Sequence, residues 1–335
     1  MSDIQYNLNF EKICDQLHLG ELISTPKPIS GGHLHRMYVM ETRKDKYAIK
    51  ALNPQIMTRP EAMQNYINSE RIANVAANHI PGQPANRINN SSIHNIDNQF
   101  YLIFDWIDGR SLDHSEVTNV HCDLMGTILA DIHKINFSQL NVDKTQIDYS
   151  KDTDWAFYLD KGKEESLEWY ELLDSTIQQL YEWSAKAKRS SLLLTSDAVI
   201  SHRDLEPKNV MWKRNNPIII DWESAGYINP MHDLVETAIY WSINSTGNID
   251  KGRFLAFING YRKHVSRLSA NWRLVLENGL IGKLNWLEYS LKRSLWIECT
   301  DQDEQRMGTA QVTWTIKALK QYDSIIPEVE SWMDI

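Results

Sequence analysis

The stretch that decides the fold reads Ile200-Ser201-His202-Arg203-Asp204-Leu205-Glu206-Pro207-Lys208-Asn209-Val210-Met211-Trp212, then Lys213-Arg214-Asn215-Asn216, then Pro217-Ile218-Ile219-Ile220-Asp221-Trp222-Glu223-Ser224-Ala225-Gly226-Tyr227. Two short apolar runs, Val210 to Trp212 and Pro217 to Asp221, flank the polar Lys213 to Asn216 segment, so the local pattern is strand, turn, strand. Each run begins or ends at a side chain able to bind a metal or take a proton. Phosphoryl transfer from ATP needs such a set: a carboxylate beside the attacking hydroxyl, and an amide oxygen with a second carboxylate to hold Mg²⁺ against the phosphates. A lone His-x-Asp reads most simply as a turn bonding its own backbone. The fixed gap to Asn209, the flanking apolar strands and a second carboxylate in place make the whole string far rarer by chance.

Working outward, 335 residues suffice for one large or two modest domains with a substantial core. Cys14, Cys122 and Cys299 are widely spaced and match no zinc or Cys-x-x-Cys pattern, which favours a reducing compartment. The first residues lack a basic start and apolar segment, and no stretch approaches a membrane span. The expectation is a cytoplasmic protein without a membrane partner. A formal charge of −9 disfavours a nucleic-acid groove and tolerates a cationic small substrate. Eleven of the twelve Trp lie beyond residue 150, where they build helix-packed core or line a pocket for an organic cation.

Toward the amino terminus, Phe10 to Leu19 reads as a short helix. Ile29-Ser30-Gly31-Gly32-His33 follows, where paired glycines either turn a hairpin or let backbone amides approach phosphate oxygens. In Lys46-Tyr47-Ala48-Ile49-Lys50-Ala51-Leu52 the alternation puts Ala48, Lys50 and Leu52 on one strand face. A helix from Glu61 through Ala77 comes next, then a loop-rich interval from Pro81 to Asn98. Gln99 to Phe104 is an apolar strand ending at Asp105-Trp106-Ile107-Asp108-Gly109. Leu124, Met125, Ile128, Leu129 and Ile132 share one helical face, closed by His133, which is expected to satisfy a local carbonyl. Residues 136 to 196 read as two amphipathic helices, and Ile239 to Trp241, Phe254 to Tyr261, Leu274 to Leu291 and Val312 to Leu319 as further helices.

His202-Arg203-Asp204, Asn209 and Asp221-Trp222-Glu223 together resemble the protein-kinase-like superfamily, and within it the aminoglycoside phosphotransferase and choline kinase family. The resemblance implies an α+β, two-lobed protein-kinase-like fold, with a small mixed β/α lobe over residues 1–104 for nucleotide and a mostly helical lobe over 105–335 for catalysis and substrate. It implies that Asp204 is the catalytic base, that Asn209 and Asp221 ligate Mg²⁺, and that Lys50, held by Glu70, pairs the α- and β-phosphates. Ser30, Gly31 and Gly32 would cover the phosphates. Main-chain groups of Asp105, Trp106 and Ile107 would meet the base of ATP or GTP. His202 and Asp233 are expected to support the catalytic loop. Glu206 and Glu223 are candidate substrate contacts, with a metal or loop contact as the alternative for Glu223. Arg203, Glu206 and Lys208 depart from the commonest choices of antibiotic kinases, which bears on the acceptor and not on the chemistry.

Within twelve residues of Asp221 comes Asn229-Pro230-Met231-His232-Asp233, with no activation segment or Ala-Pro-Glu signal to hold a peptide. The expected acceptor is therefore a small molecule. The leading expectation is ATP- and Mg²⁺-dependent phosphorylation of a hydroxyl on an aminoglycoside-like or other amine-bearing compound. A choline- or ethanolamine-like metabolic kinase and a non-catalytic nucleotide-binding interaction protein remain open, as do the monomer and the homodimer.

Overall fold

A computed structural model describes residues 5–29, 34–142, 152–194 and 197–333. The chain begins with helix α1 (Phe10–Gln16), capped by Asn9, whose side chain accepts from Lys12 N. Strands β1 (Lys27–Ile29), β2 (Arg36–Glu41) and β3 (Lys46–Ala51) follow, then α2 (Ala62–Ala76), β4 (Ile93–Ile96) and β5 (Gln99–Asp105). The five strands form one antiparallel sheet in the order β1-β2-β3-β5-β4. Its register sets Lys50 opposite Met37 on one side and Leu102 on the other.

Alternation decides what each sheet face buries. Met40, Tyr47, Ile49, Ala51, Ile96, Tyr101 and Ile103 pack with Ile13, Cys14 and Leu17 of α1 and its end. On the opposite face Leu52 and Leu102 pack with Tyr66 of α2 and with Ala85, joined by Phe100 and Phe104. Lys50 shares this second face, as the sequence alternation predicts, and is 6% exposed. At roughly 1.5–3 kcal/mol for each large apolar side chain buried, the two clusters hold the sheet and both helices together.

Beyond the sheet come α3 (Asn119–Lys134), α4 (Trp155–Glu164), α5 (Tyr170–Asp174), α6 (Ile177–Leu193), β6 (Val199–Ser201), β7 (Val210–Lys213), β8 (Asn216–Ile219) and β9 (Gly226–Ile228). Helices α7 (Pro230–Ser242), α8 (Lys251–Arg262), α9 (Trp272–Asn278), α10 (Leu280–Ser294) and α11 (Gln302–Met333) complete the chain. The interval read as two helices holds α4, α5 and α6. Strands β7 and β8 pair antiparallel with Lys213 opposite Asn216, so Arg214 and Asn215 make the turn, and Arg214 adopts a left-handed φ of 60°.

Packing divides the chain into two compact units. One comprises Met1–Val142, Ile200–Gly226 and Thr237–His264. Inside it α3 crosses α8 at close range: a β-carbon on Gly126 would stand 2.0 Å from Phe257 O, and one on Gly260 the same distance from Asp123 O. Only glycine admits that approach. Near the crossing, His133 meets the Tyr261 hydroxyl through Nδ1 at 2.8 Å.

The other unit comprises Asp143–Val199, Tyr227–Glu236 and Val265–Ile335. Its core is rich in tryptophan. Trp155 and Trp169 are fully buried and spend their indole N–H groups on Ser184 Oγ and Ser294 Oγ, so neither is left unsatisfied. The helix expected from Leu274 to Leu291 is instead two, α9 and α10. They part at Gly279, where the Tyr322 hydroxyl of α11 donates to Leu276 O at 2.8 Å. Most tryptophans are core; Trp296 and Trp314 lie exposed.

Candidate active site

The site is built within the first unit, from β3, the β6–β7 connection and the residues following β8. Asp204 lies in the connection, immediately after Arg203, whose φ of 65° is left-handed. His202 is fully buried and fixes this turn from below. Its Nδ1 accepts from Asp204 N at 3.3 Å and its Nε2 donates to Ile220 O at 2.9 Å, so one ring ties the loop to the residue between β8 and Asp221. The ring also stands edge-on to Trp222 at 4.7 Å. Asn209 completes the lock: its Nδ2 donates to both Asp204 O and Asp204 Oδ2 at 2.8 Å, while Ile220 N donates to Asn209 O.

Asp221 also adopts a left-handed conformation, φ 63° and ψ 59°. Non-glycine residues avoid this region, and such strain persists where surrounding contacts hold it. Here the contact is Lys50, whose Nζ donates to Asp221 Oδ1 at 2.6 Å and to Glu223 Oε2 at 2.8 Å. Burial alone would lower the Lys50 pKa, but the two carboxylates outweigh it and hold the ammonium well above its ordinary range. Burial would raise Glu223, yet the Lys50 ammonium and the His35 ring bring it well below the usual carboxylate range.

Asp204 behaves oppositely. Burial, then the nearby Glu206 carboxylate, push its pKa up to about 8, against the pull of Lys208. Lys208 itself pairs with Glu206 at 2.5 Å. Lys50, Asp204, Asn209 and Asp221 thus come together, with Glu206 and Glu223 beside them.

Glu70 departs from its expected partner. Its carboxylate accepts from Ala85 N at 2.8 Å and forms no ion pair with Lys50, which turns to Asp221 and Glu223 instead. Two carboxylates outbid one, and the Ala85 amide satisfies Glu70 where it lies, 5% exposed. Burial raises its pKa to about 7, with the Ala85 bond working against the rise. The segment around Ala85 also reaches elsewhere in the unit: Gln83 N donates to Ile219 O, and Asn86 N to Ile103 O.

At the end of β5, Asp105 O accepts from Gln83 Nε2 at 2.8 Å and Trp106 N donates to Lys46 O at 3.1 Å. Both main-chain groups already have protein partners. Asn86 Nδ2 holds the Asp105 carboxylate at 2.7 Å, and the Lys46 ammonium sits over the Trp106 ring at 4.5 Å. Ile107 O accepts from Gly109 N. Asp233 is buried in the first turn of α7. Ser30, Gly31 and Gly32 lie outside the described residues.

Sequence reasoning missed His35 and Tyr66. His35 Nδ1 accepts from Asn53 N at 2.9 Å, and its Nε2 faces Tyr66 Oη at 2.5 Å and Glu223 Oε2 at 3.3 Å. Neither residue sits in a recognisable spacing. Both are buried polar side chains on the face of Lys50, a signal that appears only once the chain is folded.

Among the described residues no cluster of three or more His, Cys, Asp or Glu is arranged to hold a metal by such side chains alone. The donors present nevertheless suit Mg²⁺, which takes hard oxygens and shares its shell with phosphate and water. Asn209 presents Nδ2 to Asp204, leaving Oδ1 without a hydrogen bond among the described residues. The Asp221 side chain is 30% exposed and uses one oxygen on Lys50.

A family model for the phosphotransferase enzyme family matches residues 25–264. No curated protein matches the chain by sequence. Among solved structures, a spectinomycin phosphotransferase in complex with ADP and spectinomycin is similar, with a TM-score of 0.66 at 13% identity over 93% of this chain and 97% of that one. A microcompartment-associated aminopropanol kinase gives 0.60 at 12% identity over 94% and 98%. An ethanolamine kinase of Plasmodium vivax gives 0.57 at 15% identity over 89% and 83%. At these identities the likeness shows the fold, which is kinase-like, with an antiparallel-sheet N-terminal lobe and a helical C-terminal region.

Proposed function

We propose that this chain, which belongs to the phosphotransferase enzyme family, uses ATP and Mg²⁺ to phosphorylate a hydroxyl group of a small, amine-bearing compound. One observation carries the reading: Lys50, from the first half of the chain, lies within one hydrogen-bonded and ion-paired set with Asp204, Asn209 and Asp221 of the Ile200 to Tyr227 stretch. That is the inventory phosphoryl transfer requires. In this reading residues 1–104 contribute the nucleotide side, and of the Asp105 to Ile107 main chain the groups other than Asp105 O, Trp106 N and Ile107 O, which already have protein partners, meet the base.

When bound, Mg²⁺ would be held by Asn209 Oδ1 and Asp221 and would neutralise charge on the phosphate oxygens. Lys50, already ionised, pairs with phosphate oxygens in exchange for part of its contact with Asp221. Asp204 orients the acceptor hydroxyl and takes its proton as the oxygen bonds to the γ-phosphorus. The bond from that phosphorus to the β–γ bridging oxygen breaks, and ADP leaves. A base with a pKa near 8 suits proton transfer close to neutral pH. Glu206, paired with Lys208, lies close enough to Asp204 to raise its pKa and is the candidate contact for an acceptor amine. His202 and Glu70 support the site by holding its loop and the segment around Ala85. The net charge of −9 tolerates a cationic substrate, and ethanolamine and aminopropanol, which name two similar kinases, each carry an amine and a hydroxyl.

A metabolic amino-alcohol kinase is the second reading, supported by those same two neighbours. ADP release measured across amino sugars, amino alcohols, choline-like alcohols and neutral sugars, with Asp204→Asn as blank, tests both. Turnover confined to amine-bearing alcohols is expected. Turnover only on neutral sugars would refute the amine assignment, and none despite tight Mg·ATP binding would favour a non-catalytic nucleotide-binding protein.

A further inference from the structure

The groups around Lys50 include two that the reaction chemistry does not use, His35 and Tyr66, and both are more than nine-tenths buried. Hydrogen-bond accounting decides the state of the imidazole. Asn53 N–H points at Nδ1 from 2.9 Å, so that nitrogen supplies a lone pair. The ring proton of the neutral side chain is therefore on Nε2. From there it serves two acceptors, Tyr66 Oη at 2.5 Å and Glu223 Oε2 at 3.3 Å. Glu223 in turn accepts from Lys50 Nζ at 2.8 Å. An unbroken chain of contacts runs from Tyr66 on α2, through His35 beside β2, to Glu223 and Lys50.

Glu70 lies one turn further along the same helix and does not take part, because its carboxylate is spent on Ala85 N. Helix α2 thus has two polar tethers with different destinations. Tyr66 leads to the lysine; Glu70 leads to the segment that borders β8 and β5.

We propose that His35 is a positioning residue for the phosphate-binding lysine: with Tyr66 it couples helix α2 to Lys50 through Glu223, the task expected of Glu70. The inference rests on the phosphotransferase reading for its consequence, nucleotide binding, but not for its geometry. Removing the Nε2–H donor frees Glu223 to swing, and Lys50 loses the fixed carboxylate that aims it. Gln at position 35 offers an amide N–H near Nε2 and an oxygen near Nδ1, so it restores the coupling where an apolar residue cannot.

Two measurements on the full chain test this. Nitrogen-15 spectra of the histidine rings should show His35 as the Nε2–H tautomer in the wild type, with the pattern perturbed in Tyr66→Phe; an Nδ1–H tautomer would overturn the assignment. Mg·ATP affinity by titration calorimetry should fall about tenfold or more in His35→Leu, the scale of losing one well-placed hydrogen bond to a charged group. Recovery in His35→Gln to within about threefold of wild type and a smaller loss in Glu70→Gln are also expected. A larger loss in Glu70→Gln than in His35→Leu, or no recovery in His35→Gln, would overturn the proposal. If His35→Leu fails to fold, the ranking of His35→Gln and Tyr66→Phe against Glu70→Gln decides the same question. Wild-type protein that binds no Mg·ATP would sink the functional reading instead, and the ring-nitrogen spectrum would then decide the His35 geometry alone.

Discussion

In the proposed reaction two requirements meet in the Asp204 carboxyl: it must be buried enough to have its pKa tuned, and it must ionise to receive a proton. Burial and Glu206 raise that pKa to about 8, so activity limited by this group should climb with pH and level off near 8. Asp204→Asn keeps the size of the side chain and removes the acceptor; turnover is expected to fall on the order of 10²- to 10⁴-fold, measured as ADP release at saturating acceptor. The same shift has a consequence for stability. Between about pH 4, where an unfolded aspartate releases its proton, and about pH 8, the folded chain retains a proton that the unfolded chain has lost. Stability therefore falls as pH rises through that window and is flat above it. Asp204→Asn should be more stable than wild type at pH 8, with the gap closing at pH 4, as read by urea unfolding at the two pH values. Equal stability at both would mean that the carboxyl is not desolvated.

Secondary-structure elements impose a different kind of constraint. The crossing of α3 and α8 depends on Gly126 and Gly260, each facing a carbonyl oxygen where a β-carbon would stand 2.0 Å away. Gly126→Ala cannot be accommodated by a rotamer change, since the obstacle is backbone; it should cost about 1–3 kcal/mol, seen as a lower denaturation midpoint, even though alanine is the better helix former. Spacing explains which elements were legible beforehand. The alternation in Lys46 to Leu52 assigned faces correctly, and Val210 to Asp221 read as paired strands, because both are local patterns. The long Leu274 to Leu291 pattern hid its break, because Gly279 separates α9 from α10 only where Tyr322, distant in sequence, packs against the join. The partner of Glu70 was equally invisible. Which amide meets a buried carboxylate depends on the path of the Pro81 to Asn98 segment, and that segment has no periodicity to read. His35 and Tyr66 likewise take meaning only from Glu223, far along the chain.

Across the whole molecule, the side chains proposed to handle phosphate come from two distant stretches of sequence, Lys50 in one and Asp204 to Asp221 in the other, so occupancy of the site should report on global stability. Mg·ATP at a hundred times its dissociation constant should add about 2.7 kcal/mol and raise the thermal midpoint by several degrees, with the gain reversed by a chelator of divalent cations. The proposed acceptor is the part least legible from sequence, because the helices from residue 152 onward carry aromatic patterns that read alike for a packed core and for a binding wall. The central claim concerns Lys50, Asp204, Asn209 and Asp221, and a crystal structure with Mg²⁺ and a non-hydrolysable ATP analogue tests it most directly. The account predicts a metal about 2.0–2.1 Å from Asn209 Oδ1 and an Asp221 oxygen, with Lys50 on the phosphates and Asp204 facing the γ-phosphorus. A nucleotide bound elsewhere, or a metal touching neither residue, would contradict it.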